Sequence, residues 1–164
     1  MQLSRTSKRL KMTATRLLLI LLTCALFTVS SASARPAMDA EGHYQKGIRY
    51  SQAKNWQDAA EEFQKAIDLQ QKFSLAHANL GVALSQIGKH KEALLEFDAA
   101  LRQGYDHAFL RYNRGSSFAR LKLLEEAEAE FKLALEKDSR MSKARYDLGI
   151  VYMMQARLDK AREQ

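Results

Sequence analysis

Beyond residue 39, small and apolar side chains recur three and four residues apart, the spacing that keeps one face of a helix dry. In residues 77–101 these positions are Leu80, Gly81 and Leu84, then Ala93, Phe97 and Ala100, with charged and amide residues between them. The runs are bounded by residues that start and stop helices. Asp39, Asn55, Ser74, Asp106 and Ser142 each offer an oxygen to the free amides of a first turn. Gly88 and Gly104 suit helix ends, where a left-handed backbone costs glycine little. The pattern predicts an all-α chain with helices over 40–53, 56–69, 75–87, 89–102, 108–121, 123–137 and 142–155. A further helix is expected to begin near Leu158 and to be cut short at Gln164.

The pattern also copies itself every 34 residues. Gly47, Gly81, Gly115 and Gly149 share one phase, as do Ala59, Ala93, Ala127 and Ala161. Phe63, Phe97 and Phe131 form a third set, and Ala66, Ala100 and Ala134 a fourth. A fixed period of this size marks a chain built by stacking one supersecondary unit. The units are 40–73, 74–107, 108–141 and an incomplete 142–164. A glycine inside a helix costs about 1 kcal/mol relative to alanine, so four glycines at one phase need a compensating contact. A second helix crossing close by supplies it, with Ala59, Ala93 and Ala127 expected as the matching small face and the phenylalanines between neighbouring pairs.

In phase and residue type the units resemble the tetratricopeptide repeat, whose pattern runs W-x2-L-G-x2-Y, then A-x3-F, then P. The first gives His43, Lys46, Gly47, Tyr50, Ala59 and Phe63; the second gives His77, Leu80, Gly81, Leu84, Ala93 and Phe97. The third gives Arg111, Arg114, Gly115, Phe118, Ala127 and Phe131; the fourth gives Arg145, Leu148, Gly149, Tyr152 and Ala161. Two slots depart. His43, His77, Arg111 and Arg145 replace tryptophan, and Gln71, Tyr105 and Ser139 replace proline, which leaves the turns between units less rigid.

The resemblance implies an α-solenoid of three full repeats and a partial fourth, whose first helices line a concave groove for peptide segments or partner domains. Carried onto this chain, the groove positions are Tyr44, Ile48 and Gln52, then Leu75, Val82 and Gln86. Repeat three supplies Phe109, Tyr112 and Arg120, and repeat four supplies Lys143, Tyr146 and Ile150. This set is apolar and aromatic with amides and two cations, which suits a peptide with apolar anchors in extended or helical form. Stripes at helical spacing equally suit packing against neighbouring helices. Some family members grip a terminal carboxylate with lysine, asparagine and arginine. Asn79, Asn113 and Lys143 match parts of that set, but Tyr44 and Ile48 stand in place of its first lysine and asparagine.

The N-terminus follows a different plan. Residues 1–16 are polar and basic, residues 17–29 (LLLILLTCALFTV) are almost wholly apolar, and residues 30–34 (SSASA) are small. That order is expected of a secretory signal peptide cleaved after Ala34, followed by a linker over 35–39 that holds Pro36. The apolar core is shorter than the roughly 20 residues that span a bilayer. An uncleaved anchor is the second reading, and a lipoprotein modified at Cys24 the third. Membrane contact is thus expected only through this segment. Residues 1–34 hold five of the seven excess positive charges, and the rest is nearly balanced, which argues against a nucleic-acid partner. Cys24 is the only cysteine, so the remainder has no disulfide, cysteine metal site or thiol nucleophile.

No catalytic set is visible. His43 and His77 fall one repeat apart, but no Cys, Asp or Glu at ligand spacing completes a metal site. Glu125-Glu126 and residues 128–130 read as solvated helix faces, and Lys89-His90-Lys91 as an exposed loop. No nucleophile, phosphate loop or convergent acid and base can be named. The expectation is a scaffold without enzymatic activity, metal or cofactor, acting in the periplasm or outside the cytoplasm on an unidentified protein or peptide. Two alternatives stand beside it: the repeat segment of a larger envelope protein or enzyme, and a membrane-tethered assembly factor. The incomplete fourth unit offers a second place for pairing with a partner.

Overall fold

The computed structural model describes residues 38–162, with side chains through Arg157. The expected signal peptide, its cleavage point and residues 35–37 of the linker lie outside the described residues. Seven helices follow one another, with no strand among the described residues. They are α1 (Ala40–Gln52), α2 (Trp56–Leu69), α3 (Ser74–Gln86), α4 (His90–Arg102), α5 (Ala108–Arg120), α6 (Leu124–Lys137) and α7 (Ser142–Arg162).

The helix starts follow the expected caps only in part. The Asp39 carboxylate accepts from the Gly42 amide at 2.8 Å, which closes the first turn of α1. Asn55 precedes α2 without a side-chain cap bond, and Ser74 and Ser142 are the first helical residues of α3 and α7. Asp106 is drawn away from the α5 amides by stronger donors, the Arg111 guanidinium at 2.7 Å and the Lys137 ammonium at 3.0 Å. His90 and Lys91 open α4, with Lys89 at its N-cap, so two of the three residues expected in a loop are helical.

The turn inside each pair has one design. Lys54, Gly88 and Lys122, 34 residues apart, all adopt the left-handed conformation, with φ of 60°, 83° and 65°. Each lets the next amide return to a carbonyl five residues back: Asn55 to Tyr50, Lys89 to Leu84 and Leu123 to Phe118, at 2.9–3.0 Å. Ala156 occupies this place in the fourth unit, and there the chain does not turn. The expected break and second helix are replaced by one continuous α7 through Arg162. Alanine is the strongest helix former, so its own preference favours continuing the helix through this position.

Helices α1 and α2, α3 and α4, and α5 and α6 pack as pairs, and each pair stacks on the next through α2–α3, α4–α5 and α6–α7 contacts. Phe63, Phe97 and Phe131 are buried at the centre of the three pairs. Each ring lies on the mid-helix glycine of its own pair. A Cβ built on Gly47 or Gly81 would meet the ring at 2.6 Å, and one on Gly115 at 2.9 Å. The glycines are therefore seats for aromatic rings within a pair. Ala59, Ala93 and Ala127 are fully buried, but the close approach that demands glycine comes from phenylalanine, not from them.

Candidate functional site

The odd-numbered helices share one face, and hydrogen bonds tie it together across repeats. Asn79 Nδ2 donates to Tyr44 Oη at 3.1 Å, and Tyr112 Oη donates to Asp147 Oδ2 at 2.9 Å. In both, the partners are 35 residues apart. Burial, then the Asp147 carboxylate, pushes the Tyr112 hydroxyl up to about 12, so it remains a donor at any physiological pH. Asn79, one of the candidate clamp residues, also donates to the Leu75 carbonyl at 3.0 Å. Its amide hydrogens are engaged within the protein.

Two adjoining cavities open along this face. The larger, about 360 Å³, is floored by Phe131, Ile150, Val151 and Met154 and edged by Ser116, Ala119, Arg120, Lys122 and Asp147. The second, about 260 Å³, is polar and lined by Ser85, Gln86, Gly88, His90, Ser116 and Arg120. Ser116 and Arg120 belong to both, because they lie one helical turn apart on α5, between α3 and α7.

Of the groove positions carried over from the sequence, Arg120, Ile150 and Gln86 line these cavities. Leu75, Phe109 and Tyr146 are exposed apolar side chains on the same face, and Gln52 and Lys143 are exposed polar ones. Four others are committed largely to packing. Tyr44 stacks on Phe63 and Phe73, with ring centroids 5.8 and 4.9 Å away, and Ile48 joins that cluster. Val82 packs against the second cluster, and Tyr112 stacks on Phe131 at 5.8 Å. Ser85, His90, Ser116, Asp147 and Met154 were missed. His90 was hidden by its reading as a loop residue; Ser116 and Met154 share the phases of Ile48 and Gln52 but were passed over, and Ser85 and Asp147 lie beside Gln86 and Tyr146, one residue off the expected stripe.

A second set of residues was overlooked, and one member, Glu130, was read as part of a solvated helix face. Glu62, Glu96 and Glu130 recur every 34 residues, each just before the core phenylalanine and 19 residues after the basic residue in the tryptophan slot. Glu62 Oε2 meets His43 Nδ1 at 2.6 Å, while its other oxygen accepts from Lys46 and Lys65, both at 2.9 Å. Glu96 meets His77 Nδ1 at 2.7 Å. Glu130 pairs with Arg111 at 3.2 Å and with Arg114. Glu130 is buried and bridges two helices, so it is no part of a solvated acidic face. His43 and His77 each do have a carboxylate neighbour, from the facing helix, which local spacing could not reveal. Among the described residues, no three metal-ligating side chains gather.

Burial alone would raise the Glu62 carboxyl, but hydrogen bonds from Lys46, His43 and Lys65 overrule it and hold the group at about 2. Arg111 likewise, against partial burial and with help from Lys137, holds Asp106 at about 2. An ion-pair clasp thus stands where a tryptophan would otherwise join the two helices of a repeat.

The tetratricopeptide repeat profile matches this chain three times, over residues 44–104, 86–141 and 112–164. Among solved structures, the first such domain of Spaghetti (RPAP3), bound to the HSP90 peptide SRMEEVD, is 20% identical. That match covers 72% of this chain and 94% of that one, with a TM-score of 0.69. MamA from Desulfovibrio magneticus RS-1 is 24% identical over 77% of this chain and 72% of its own, also at 0.69. PcrH, in complex with the chaperone-binding region of PopD, is 20% identical over 70% of this chain and 92% of its own, at 0.64. At these identities the likeness is one of fold. No curated protein matches. The three overlapping matches run without a gap from residue 44 to residue 164, and on that ground the chain belongs to the tetratricopeptide repeat family.

Proposed function

We propose that the protein is a non-catalytic scaffold that holds an extended peptide segment along the face of α3, α5 and α7. The observation that carries this reading is the pair of adjoining cavities that share Ser116 and Arg120. One accepts an apolar side chain against Phe131, Ile150 and Met154. The other presents His90, Gln86 and the Arg120 cation, which suits a polar or acidic group on a neighbouring residue of the same segment. Related folds support the reading, since the RPAP3 domain and PcrH are each seen with a peptide or protein segment bound. The sequence of residues 1–34 supports action in the periplasm or outside the cytoplasm after cleavage at Ala34. The exported protein should then lack those residues by intact mass.

The groove is tested by selecting peptides from a displayed library and measuring their affinity. Selected segments are expected to pair an apolar residue with a nearby acidic one. Arg120→Glu and Ile150→Asp should each weaken them at least about tenfold with the helical circular dichroism unchanged. Equal affinity for the wild type and both folded variants would reject the groove. Tyr112 is unsuitable as a probe, because its ring and hydroxyl are tied to Phe131 and Asp147.

A further inference from the structure

The polar cavity between α3, α4 and α5 departs from the repeat that builds the rest of the chain. Its lining residues have counterparts 34 residues away on either side, at equivalent places in the neighbouring units. His90 stands where those units place Trp56 and Leu124, Ser116 where they place Val82 and Ile150, and Arg120 where they place Gln86 and Met154. The frame accepts an apolar side chain at each of the three positions, so packing does not call for an imidazole, a hydroxyl and a cation here. Buried Ser117 likewise replaces Ala83 and Val151, and its hydroxyl donates to Ser85 Oγ at 3.2 Å across the repeat boundary. Ser85 Oγ in turn lies 3.4 Å from His90 Nδ1. This relay leaves one donor over: His90 Nε2–H where Nδ1 accepts from Ser85, or the Ser85 hydroxyl hydrogen where Nδ1 donates to it. Gly88, at the phase of Lys54 and Lys122, brings no side chain to the lining.

We infer that this cavity, of about 260 Å³, binds a phosphoryl dianion, carried on a residue of the bound segment or free as inorganic phosphate. The inference deepens the groove reading and rests on it only for the source of the group. No carboxylate lines the cavity, and unlike Arg111 and Arg114, which carboxylates hold, Arg120 forms no ion pair among the described residues. Asp147 edges the neighbouring cavity, where it accepts from the Tyr112 hydroxyl. Donors reach the polar cavity from three helices: Ser85 and Gln86 from α3, His90 from α4, and Ser116 and Arg120 from α5. A carboxylate offers two oxygens in one plane, whereas a phosphoryl group spreads three around a tetrahedron and carries a charge of about −1.5 to −2. Donors on three sides suit the second. His90 is also the first residue of α4, whose N-cap Lys89 makes no side-chain cap bond, so the positive end of that helix adds to the field. Each of the three helices packs against the helix before it and the helix after it, so complete repeats bound the site.

The test titrates the full chain with inorganic phosphate, with phosphoserine capped at both ends and with glutamate capped in the same way, followed by the backbone amide resonances of Ser85, Gly88, His90 and Ser116. Saturable shifts are expected with both phosphate probes, and capped phosphoserine should bind at least about fivefold more tightly than capped glutamate. Tighter binding of capped phosphoserine than of inorganic phosphate assigns the group to a residue of a segment, and the reverse order assigns it to the free anion. Arg120→Gln should weaken both phosphate probes at least about tenfold. His90→Leu, which installs the residue of the next repeat, should weaken them too, with helical circular dichroism intact. Lys91→Gln removes an exposed cation that does not line the cavity and should leave affinity within about twofold. Ile150→Ala should weaken library-selected segments and leave the phosphate probes unaffected. Absence of saturable shifts, glutamate binding as tightly as phosphoserine, or equal losses from Lys91→Gln and Arg120→Gln would each overturn the inference. Should selected segments still bind in any of those cases, the groove stands without it; should the phosphate probes bind and no segment do so, the groove falls and the phosphoryl site stands.

Discussion

Gly115 and Gly149 occupy the same phase of equivalent helices, yet they live in different surroundings. Gly115 lies under the Phe131 ring, buried between α5 and α6, while Gly149 faces outward on α7. Arg111 and Arg145 diverge in the same way, one clasping Glu130 and Asp106, the other turned to a backbone carbonyl. Two equivalent sequences thus give a closed joint and an open one. The glycine does not stabilise either helix by itself. Its cost is recovered only where a ring arrives on it, and the arriving helix brings the carboxylate that neutralises the neighbouring cation.

The contrast is broken most severely by removing a ring from a closed joint. Phe97 is fully buried over Gly81, and its truncation leaves a cavity between two backbones that cannot collapse. Phe97→Ala should cost about 3–5 kcal/mol in chemical unfolding. Met153→Ala, on the open side, should stay within about 0.5 kcal/mol of the wild type. Equal losses would mean that the closed α3–α4 joint and the exposed side of α7 are not the distinct environments described.

The clasp is the next largest effect, and it carries a pH signature. Glu62 has its carboxyl depressed from an ordinary value of 4.5 to about 2. A depressed acid stabilises the fold fully above its unfolded value and loses that contribution as pH falls towards its folded value. Glu62→Gln should therefore cost on the order of 2–3 kcal/mol at neutral pH. The gap between wild type and variant should close between about pH 5 and pH 2. Urea unfolding at a series of pH values measures it, and a gap that does not shrink in acid would show that Glu62 acts through packing and not through charge.

The 34-residue period was enough to place six of the seven helices to within two residues at either end, because each is bounded by a turn written into the same phase. It failed at α7, where Ala156 replaces the left-handed Lys54, Gly88 and Lys122 and nothing local forbids the helix from continuing. The clasp was written in the sequence as plainly as the glycines, in Glu62, Glu96 and Glu130. It was overlooked because acidic residues on a helix read as solvated until the facing helix is known. The groove positions were less legible. Tyr44 and Tyr112 share the phase of Tyr146, but the first two are tied to the next repeat by hydrogen bonds while Tyr146 is exposed, and phase cannot report what a neighbour covers.

The smallest effect is the sharpest, since it asks one substitution to change sign. In an unconstrained helix, glycine to alanine gains about 1 kcal/mol. Gly149→Ala should realise that gain, because among the described residues nothing lies within 4 Å of its new methyl group. Gly81→Ala should instead lose about 1–2 kcal/mol net, since the methyl would lie 2.6 Å from the buried Phe97 ring. Combining Gly81→Ala with Phe97→Ala supplies the control. With the ring gone the added methyl has room, so the double variant should be no less stable than Phe97→Ala alone, a coupling that a double-mutant cycle reads directly. If Gly81→Ala remained as harmful without the ring, the close approach that demands glycine would have to come from the α4 backbone and not from phenylalanine.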